Sequence, residues 1–327
     1  MTSPEAADAD GAALRLPNYP ITFFATVMGM LGLTLALHAA EQAYGLAAGA
    51  SRLALAVSVA LLLAVAAGYA LKAVRYPHEV RAEWNHPVRI AFFPTISISL
   101  LLLSVATLGT WPGVAQTLWL VGTALQGALT LSVIANWIGH RPFQPQHLSP
   151  AWFIPAVGNV IVPVAGAPLG HVELSWLFFS LGLVFWLVLL TLVINRLIFH
   201  DPLPGKLQPT LVILIAPPAV AFLAYLRLED QIDAFARILL NTGYVFFAIV
   251  ATQARKLPRL PFALSWWALS FPMAALTIAS FAFAAATGSA AHLAIGTALL
   301  AILAAIMAML VLRTVLAIRR REICQPE

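Results

Sequence analysis

The stretch LVILIAPPAVAFLAYL, residues 211–226, holds two adjacent prolines, Pro217 and Pro218, inside an uninterrupted apolar run. Proline lacks a backbone donor and its ring clashes with the preceding turn, so it kinks or breaks a helix. In lipid, the backbone groups this frees are tolerated only where protein or a wet cavity receives them. A spanning helix built this way is expected to face the interior of a bundle.

The same feature recurs along the chain with a rhythm. Apolar runs of about 20 residues read as membrane-spanning helices. Ten are found, near residues 20–40, 51–74, 88–108, 113–138, 152–167, 173–199, 208–228, 231–253, 262–287 and 289–317. Pro94 falls in the third, Pro155 and Pro163 in the fifth, Pro217 and Pro218 in the seventh, and Pro272 in the ninth; the even-numbered runs have no interior proline. This alternation suggests two classes of helix, one facing a central conduit and one shielding it. The fold expected is an all-α polytopic membrane protein with a pore. The fifth run is short and proline-rich, which fits a broken or tilted helix inside the bundle, and equally a re-entrant segment.

Composition agrees with the class. The chain is 61% hydrophobic and 9% charged, whereas soluble domains carry about 25% charged residues. The linkers are too short for a separate soluble domain. Residues 1–18 are polar, small and acidic (Glu5, Asp8, Asp10) and read as a disordered cytoplasmic tail. Residues 19–318 are expected to form a ten-helix transmembrane domain around the conduit, the channel domain, and 319–327 a basic cytoplasmic tail. Arg15 alone precedes a first run longer than a signal h-region, so that run is expected to stay as an uncleaved helix.

Basic residues set the orientation. With ten spans and the amino terminus inside, the cytoplasmic side holds Arg15, Lys72, Arg75, Arg81, Arg89, Arg141, Arg196, Lys206, Arg255, Lys256, Arg259, Arg313, Arg319, Arg320 and Arg321. The outer side receives Arg52, Arg227 and Arg237. The bias places both termini in the cytoplasm. It would also raise the local anion concentration at the inner mouth, partly offset by Glu79, Glu83 and Asp201. The tail Arg319–Arg321 is too short to argue for nucleic acid and fits an anchor beside anionic lipid headgroups.

Several classes of chemistry are excluded. There is no phosphate-cradling glycine loop, no HExxH, no dinucleotide fingerprint and no serine nucleophile elbow, so neither an enzyme nor a cofactor is expected. Cys324 is the one cysteine, and no Cys/His cluster has metal spacing. His140 and His147 share a loop with Arg141, but loop histidines at an interface account for them, as for His38 and Glu41 at the outer end of the first helix. No ionisable residue falls near the middle of any span, whereas ion-coupled transporters usually place one there. A passive conduit needs none. Weakly polar or small residues remain, most of them suited to helix packing. Thr26, Gly29, Ser97, Asn159 and Ser270, on odd-numbered helices, are the subset expected to face a pore.

Three strings carry a resemblance: EVRAEWNHPVRIAFFPTISIS (79–99), WFIPAVGNVIVPVAG (152–166) and LPFALSWWALSFPMAALTIAS (260–280). In this order and spacing they resemble the tellurite-resistance/C4-dicarboxylate transporter family, which includes bacterial TehA proteins and the plant guard-cell slow-type anion channels. The resemblance implies five helical hairpins in quasi-fivefold arrangement, odd helices lining the pore, and homotrimers with one pore per protomer in the bacterial inner membrane. It also implies an aromatic plug on the ninth helix, which matches Phe271 directly before Pro272. Many relatives carry proline in the first helix within F-x-x-P-x-G; here Val27 stands in its place, so a straighter first helix is expected. The function implied is a gated passive channel for small monovalent anions such as nitrate and chloride. A secondary exporter of C4-dicarboxylate, sulfite or tellurite is the alternative, and a membrane scaffold or sensor a third.

Overall fold

The structure, a computed structural model, describes residues 15–139, 143–255 and 260–325. The expectations for residues 1–14, His140, Arg141, Lys256, Arg259 and the last two residues of the tail lie outside that range. Among the described residues, nine helices are long and apolar enough to cross a membrane: Ile21–Ala43, Ala50–Arg75, Arg89–Thr107, Pro112–Ile138, Val172–Phe199, Gly205–Glu229, Ala234–Gln253, Leu264–Thr287 and Ala290–Arg319. A shorter apolar helix, Pro150–Gly166, stands fifth in order. Nine of the ten expected spans are thus present at membrane-crossing length, and the fifth corresponds to this shorter helix.

The odd-numbered spans close a ring. The first packs on the third and ninth, and the circle runs on through the seventh and fifth back to the third. Each even-numbered span lies outside, in the crevice between its own hairpin partner and the next odd span. Burial follows this division: 61–78% of the window is buried in the full-length odd spans, against 28–33% in the even ones. Leu53, Leu131, Leu187, Ile238 and Leu312 on the even spans are exposed, which is the surface a hydrocarbon solvent selects.

Within the ring, every odd span starts as a 3-10 helix and continues as an α-helix. The changeovers are Ile21–Phe23 to Phe24–Ala43, Arg89–Phe92 to Thr95–Thr107, Gly205–Ile215 to Ala216–Glu229, and Leu264–Leu269 to Ser270–Thr287. The fifth span alternates twice, through Pro150–Trp152, Phe153–Val157, Gly158–Ile161 and Val162–Gly166. The prolines mark these changeovers. Pro94 caps the third span's α part, while Pro155, Pro163, Pro217, Pro218 and Pro272 fall in the first turn of theirs. A first-turn N–H has no acceptor within its own helix, so proline costs least there. The first span, with Val27 and no proline inside it, has an uninterrupted α part of 20 residues.

One helix was not anticipated. Pro77–Asn85 lies between the second and third spans at the face where the odd spans begin, called here the basic face. Val80 and Trp84 pack on the core, while His78 and Arg81 are exposed. Its Glu83 is buried and accepts from Lys72 Nζ at 2.9 Å, Tyr69 Oη at 3.0 Å and the Ile21 amide at 3.2 Å. At the opposite face Glu41 is also buried, its Oε1 accepting from the Ser51 amide at 3.0 Å at the start of the second span. It serves as a cap supplied by the neighbouring helix.

Candidate functional site

A cavity lies inside the ring, walled by all five odd spans. Ala25 and Met28 come from the first, and Phe92, Thr95 and Ile98 from the third. The fifth gives Phe153, Ile154, Val157, Gly158, Val160 and Ile161; the seventh, Ile213, Ala216, Pro217 and Val220. Leu264, Ser265, Trp267, Ala268, Phe271 and Pro272 complete the wall from the ninth. These residues flank the changeovers from 3-10 to α-helix, so the cavity sits where the inner helices are least regular and nearer the basic face.

The wall is apolar and carries no charged side chain among these residues. Its two hydroxyls are already engaged: Thr95 donates to the Phe92 carbonyl at 2.5 Å, and Ser265 to the Lys206 carbonyl. An ion entering would find neither a counter-charge nor a free hydroxyl proton. Among the described residues no cluster of three His, Cys, Asp or Glu side chains is placed to hold a metal ion.

Phe271 is partly exposed between two buried neighbours, Ser270 and Pro272, and the space it borders is this cavity. Its position depends on a close approach by the first span. A Cβ added at Gly32 would come within 3.4 Å of Phe271 Cδ2 and 3.7 Å of its Cα. Pro272 leaves the Phe271 segment one backbone donor short at the first turn, which the changeover from 3-10 geometry accommodates.

Of the expected kink residues, Pro217 and Pro272 border the cavity, while Pro94, Pro155 and Pro163 stand at changeovers beside it. None of the five small or polar candidates is among the residues that wall the cavity; Gly29, Ser97, Asn159 and Ser270 meet a neighbouring helix, and Thr26 bonds within its own span. Thr26 donates to the Phe23 carbonyl at 2.7 Å and Ser270 to the Trp267 carbonyl at 2.6 Å. Gly29 faces Ser270 and Trp267 so closely that an added Cβ would lie 2.3 Å from Ser270 Oγ. Ser97 donates to Pro94 O at 2.9 Å and Gln126 Oε1 at 2.7 Å; Asn159 donates to Ala156 O at 2.7 Å and Thr130 Oγ1 at 3.0 Å. An inner helix has one face to the cavity and several to its neighbours, and these polar atoms are satisfied by their own backbone or by the next helix.

The wall residues the sequence reading passed over are apolar: Ile98, Phe153, Val157, Ile213 and Val220 among them. Their spacing by three or four, as in Ile213, Ala216 and Val220, is a usable signal for one helical face. It stands out poorly in helices that are apolar on every side.

The family model described as SLAC1, voltage-dependent anion channel, matches residues 18–315. The chain is 28% identical over 278 residues to the S-type anion channel SLAH2 of Arabidopsis thaliana, covering 82% of this chain and 53% of that protein. With the S-type anion channel SLAH3 of the same plant it shares 30% identity over 233 residues, 70% of this chain and 36% of that one. It is also 28% identical over 267 residues to the tellurite resistance protein TehA homolog of Haemophilus influenzae, which covers 81% of each chain. This chain thus spans about half or less of the plant proteins and most of the bacterial one. A closed ring of five inner spans with the even-numbered spans packed outside it, in a chain matched by the family model along nearly its whole length, identifies the chain as a member of the SLAC1 family of voltage-dependent anion channels.

Proposed function

We propose that this protein is a gated, passive channel for small monovalent anions, nitrate and chloride among them, with the Phe271 ring as the plug of its pore. The observation that carries the reading is the apolar, charge-free cavity enclosed by all five odd spans, with Phe271 on its wall. Conduction requires binding weak enough for the ion to leave again, and a wall without counter-charge provides that. Swinging the ring aside asks for a less favoured rotamer or a helix adjustment, about 0.5–1.5 kcal/mol for off-rotamer strain. No step of this function alters the anion chemically.

In this reading the protein sits in a bacterial inner membrane with both termini in the cytoplasm, as a homotrimer with one pore per protomer. The even spans meet lipid or neighbouring protomers. The basic face then forms the inner mouth, where Arg75, Arg81 and the Arg319–Arg321 tail concentrate small inorganic or organic anions.

The test is planar-bilayer recording of wild type and Phe271→Ala across an anion gradient. Removing the ring should raise anion current markedly, with a reversal potential that follows the anion. Unchanged current would remove Phe271 from the role of plug, and a cation-selective reversal potential would overturn the channel reading. A second reading is an exporter of C4-dicarboxylate, sulfite or tellurite, of which the name of the bacterial relative touches tellurite alone. It requires saturable flux with no unitary current steps.

A further inference from the structure

Arg196 lies in the last turn of the sixth span and is 2% exposed. A guanidinium stays protonated in proteins, so burial cannot neutralise it. A buried charge needs an opposite charge or a full set of acceptors. Among the described residues the ion pairs are Lys72–Glu83 and His78–Glu79, and none reaches Arg196. Its one acceptor there is the backbone carbonyl of Asp201, bonded by Nη1, while the Asp201 side chain is exposed. The Nε–H is buried and meets no acceptor.

Other unmatched groups stand at the neighbouring span ends on the same face. Trp137 Nε1 in the last turn of the fourth span, and Ser149 Oγ and Trp152 Nε1 at the start of the fifth, are buried without partners. The Trp137 and Trp152 rings stack with centroids 4.4 Å apart, and the fifth span's first α segment packs on the sixth span. Buried orphan donors are rare because each carries a desolvation penalty. The Arg196 Nε–H is such a donor on a guanidinium that no carboxylate among the described residues offsets, and a charged donor of this kind is what an anion satisfies.

We propose that Arg196 holds a small inorganic anion as the counter-ion of its buried charge, at a site separate from the central cavity, whose wall does not include it. With 2% exposure the site suits a bare ion, not a phospholipid headgroup. Through Asp201 the same guanidinium steadies the connection to the seventh span, whose Ile213 and Ala216 border the cavity. A bound ion there firms that side of the wall. The proposal does not depend on the channel reading.

The test uses full-length protein purified in detergent with gluconate as the only anion, titrated with bromide at constant ionic strength while thermal unfolding is followed. Wild type and Phe271→Ala should show a saturable rise in unfolding temperature. Arg196→Gln should lose it, and Arg196→Lys, which keeps the charge but not the Nε–H, should need about tenfold more bromide. An absent shift in wild type, an undiminished one in Arg196→Gln, or stabilisation by phosphatidylglycerol but not bromide would each overturn the proposal. If Arg196→Gln does not fold, bromide-soaked crystals of the wild type decide: an anomalous peak within hydrogen-bond distance of Arg196 supports the site, and its absence there rejects it. Failure of any of these leaves the Phe271→Ala current unaffected as evidence on the plug.

Discussion

Glu83 shows how much one buried carboxylate can organise. It ties the interfacial helix Pro77–Asn85 to the second span through Lys72 and Tyr69, and to the first turn of the first span through the Ile21 amide. Lys72 in turn donates to the Tyr19 carbonyl at 2.9 Å. Both partners of the ion pair have side chains no more than 3% exposed, so losing one strands a charge in the interior. Glu83→Gln should therefore destabilise the protein by about 3–5 kcal/mol. Replacing both partners with apolar residues, as in Lys72→Met with Glu83→Leu, should recover much of the loss, because the stranded charge disappears with the pair. Unfolding temperatures of the detergent-purified variants check both statements. In the sequence Glu83 counted as a mouth carboxylate that offsets the basic bias, yet it is spent internally, as Glu41 is at the other face. The residue string gives a carboxylate near a span end. Whether it meets water or the start of another helix depends on where the chain turns back, which no local pattern encodes.

The elements were the most legible level, because a run of apolar residues reports the thickness of hydrocarbon directly. The ten spans lie within a few residues of their sequence-based bounds. The 3-10 halves were not legible, since proline announces a missing donor without saying which carbonyl its neighbours will choose. The interfacial helix escaped because it is polar, short and opened by Pro77. The fifth span shows why the geometry matters. Its 17 residues would reach about 26 Å as pure α-helix. With seven of them in 3-10 turns, which rise faster, the reach becomes about 29 Å, close to the hydrocarbon thickness of about 30 Å. The irregularity strains the backbone hydrogen bonding, and the fourth span repairs it. The Pro155 carbonyl accepts from Thr130 Oγ1 at 2.7 Å and from Gln126 Nε2 at 3.3 Å, and Asn159 Nδ2 joins the group at 3.3 Å. Thr130→Val keeps the shape and removes the shortest of these bonds, so it should cost about 1–3 kcal/mol. The loss should appear as a lower unfolding temperature, with the anion preference of any remaining current unchanged, because Thr130 does not border the cavity.

At the scale of the whole molecule the ring separates two solvents. The even spans present leucine and isoleucine outward, while the odd spans enclose an apolar space whose carbonyls and hydroxyls are largely spent on one another. An ion crossing such a space gains little from the wall, so the barrier is set mainly by the water it must shed. The basic face can raise the number of anions waiting at the mouth, but that field acts on all monovalent anions alike and weakens as salt screens it. Selectivity among them must then follow ease of dehydration, with nitrate and iodide ahead of chloride, and doubly charged sulfate far behind. Raising ionic strength should reduce the conductance gained from the basic mouth while leaving that order intact. Reversal potentials of Phe271→Ala under bi-ionic conditions measure the order directly. Equal permeation by sulfate would mean that a wall group compensates the lost hydration, and the apolar cavity could not then be the selective element.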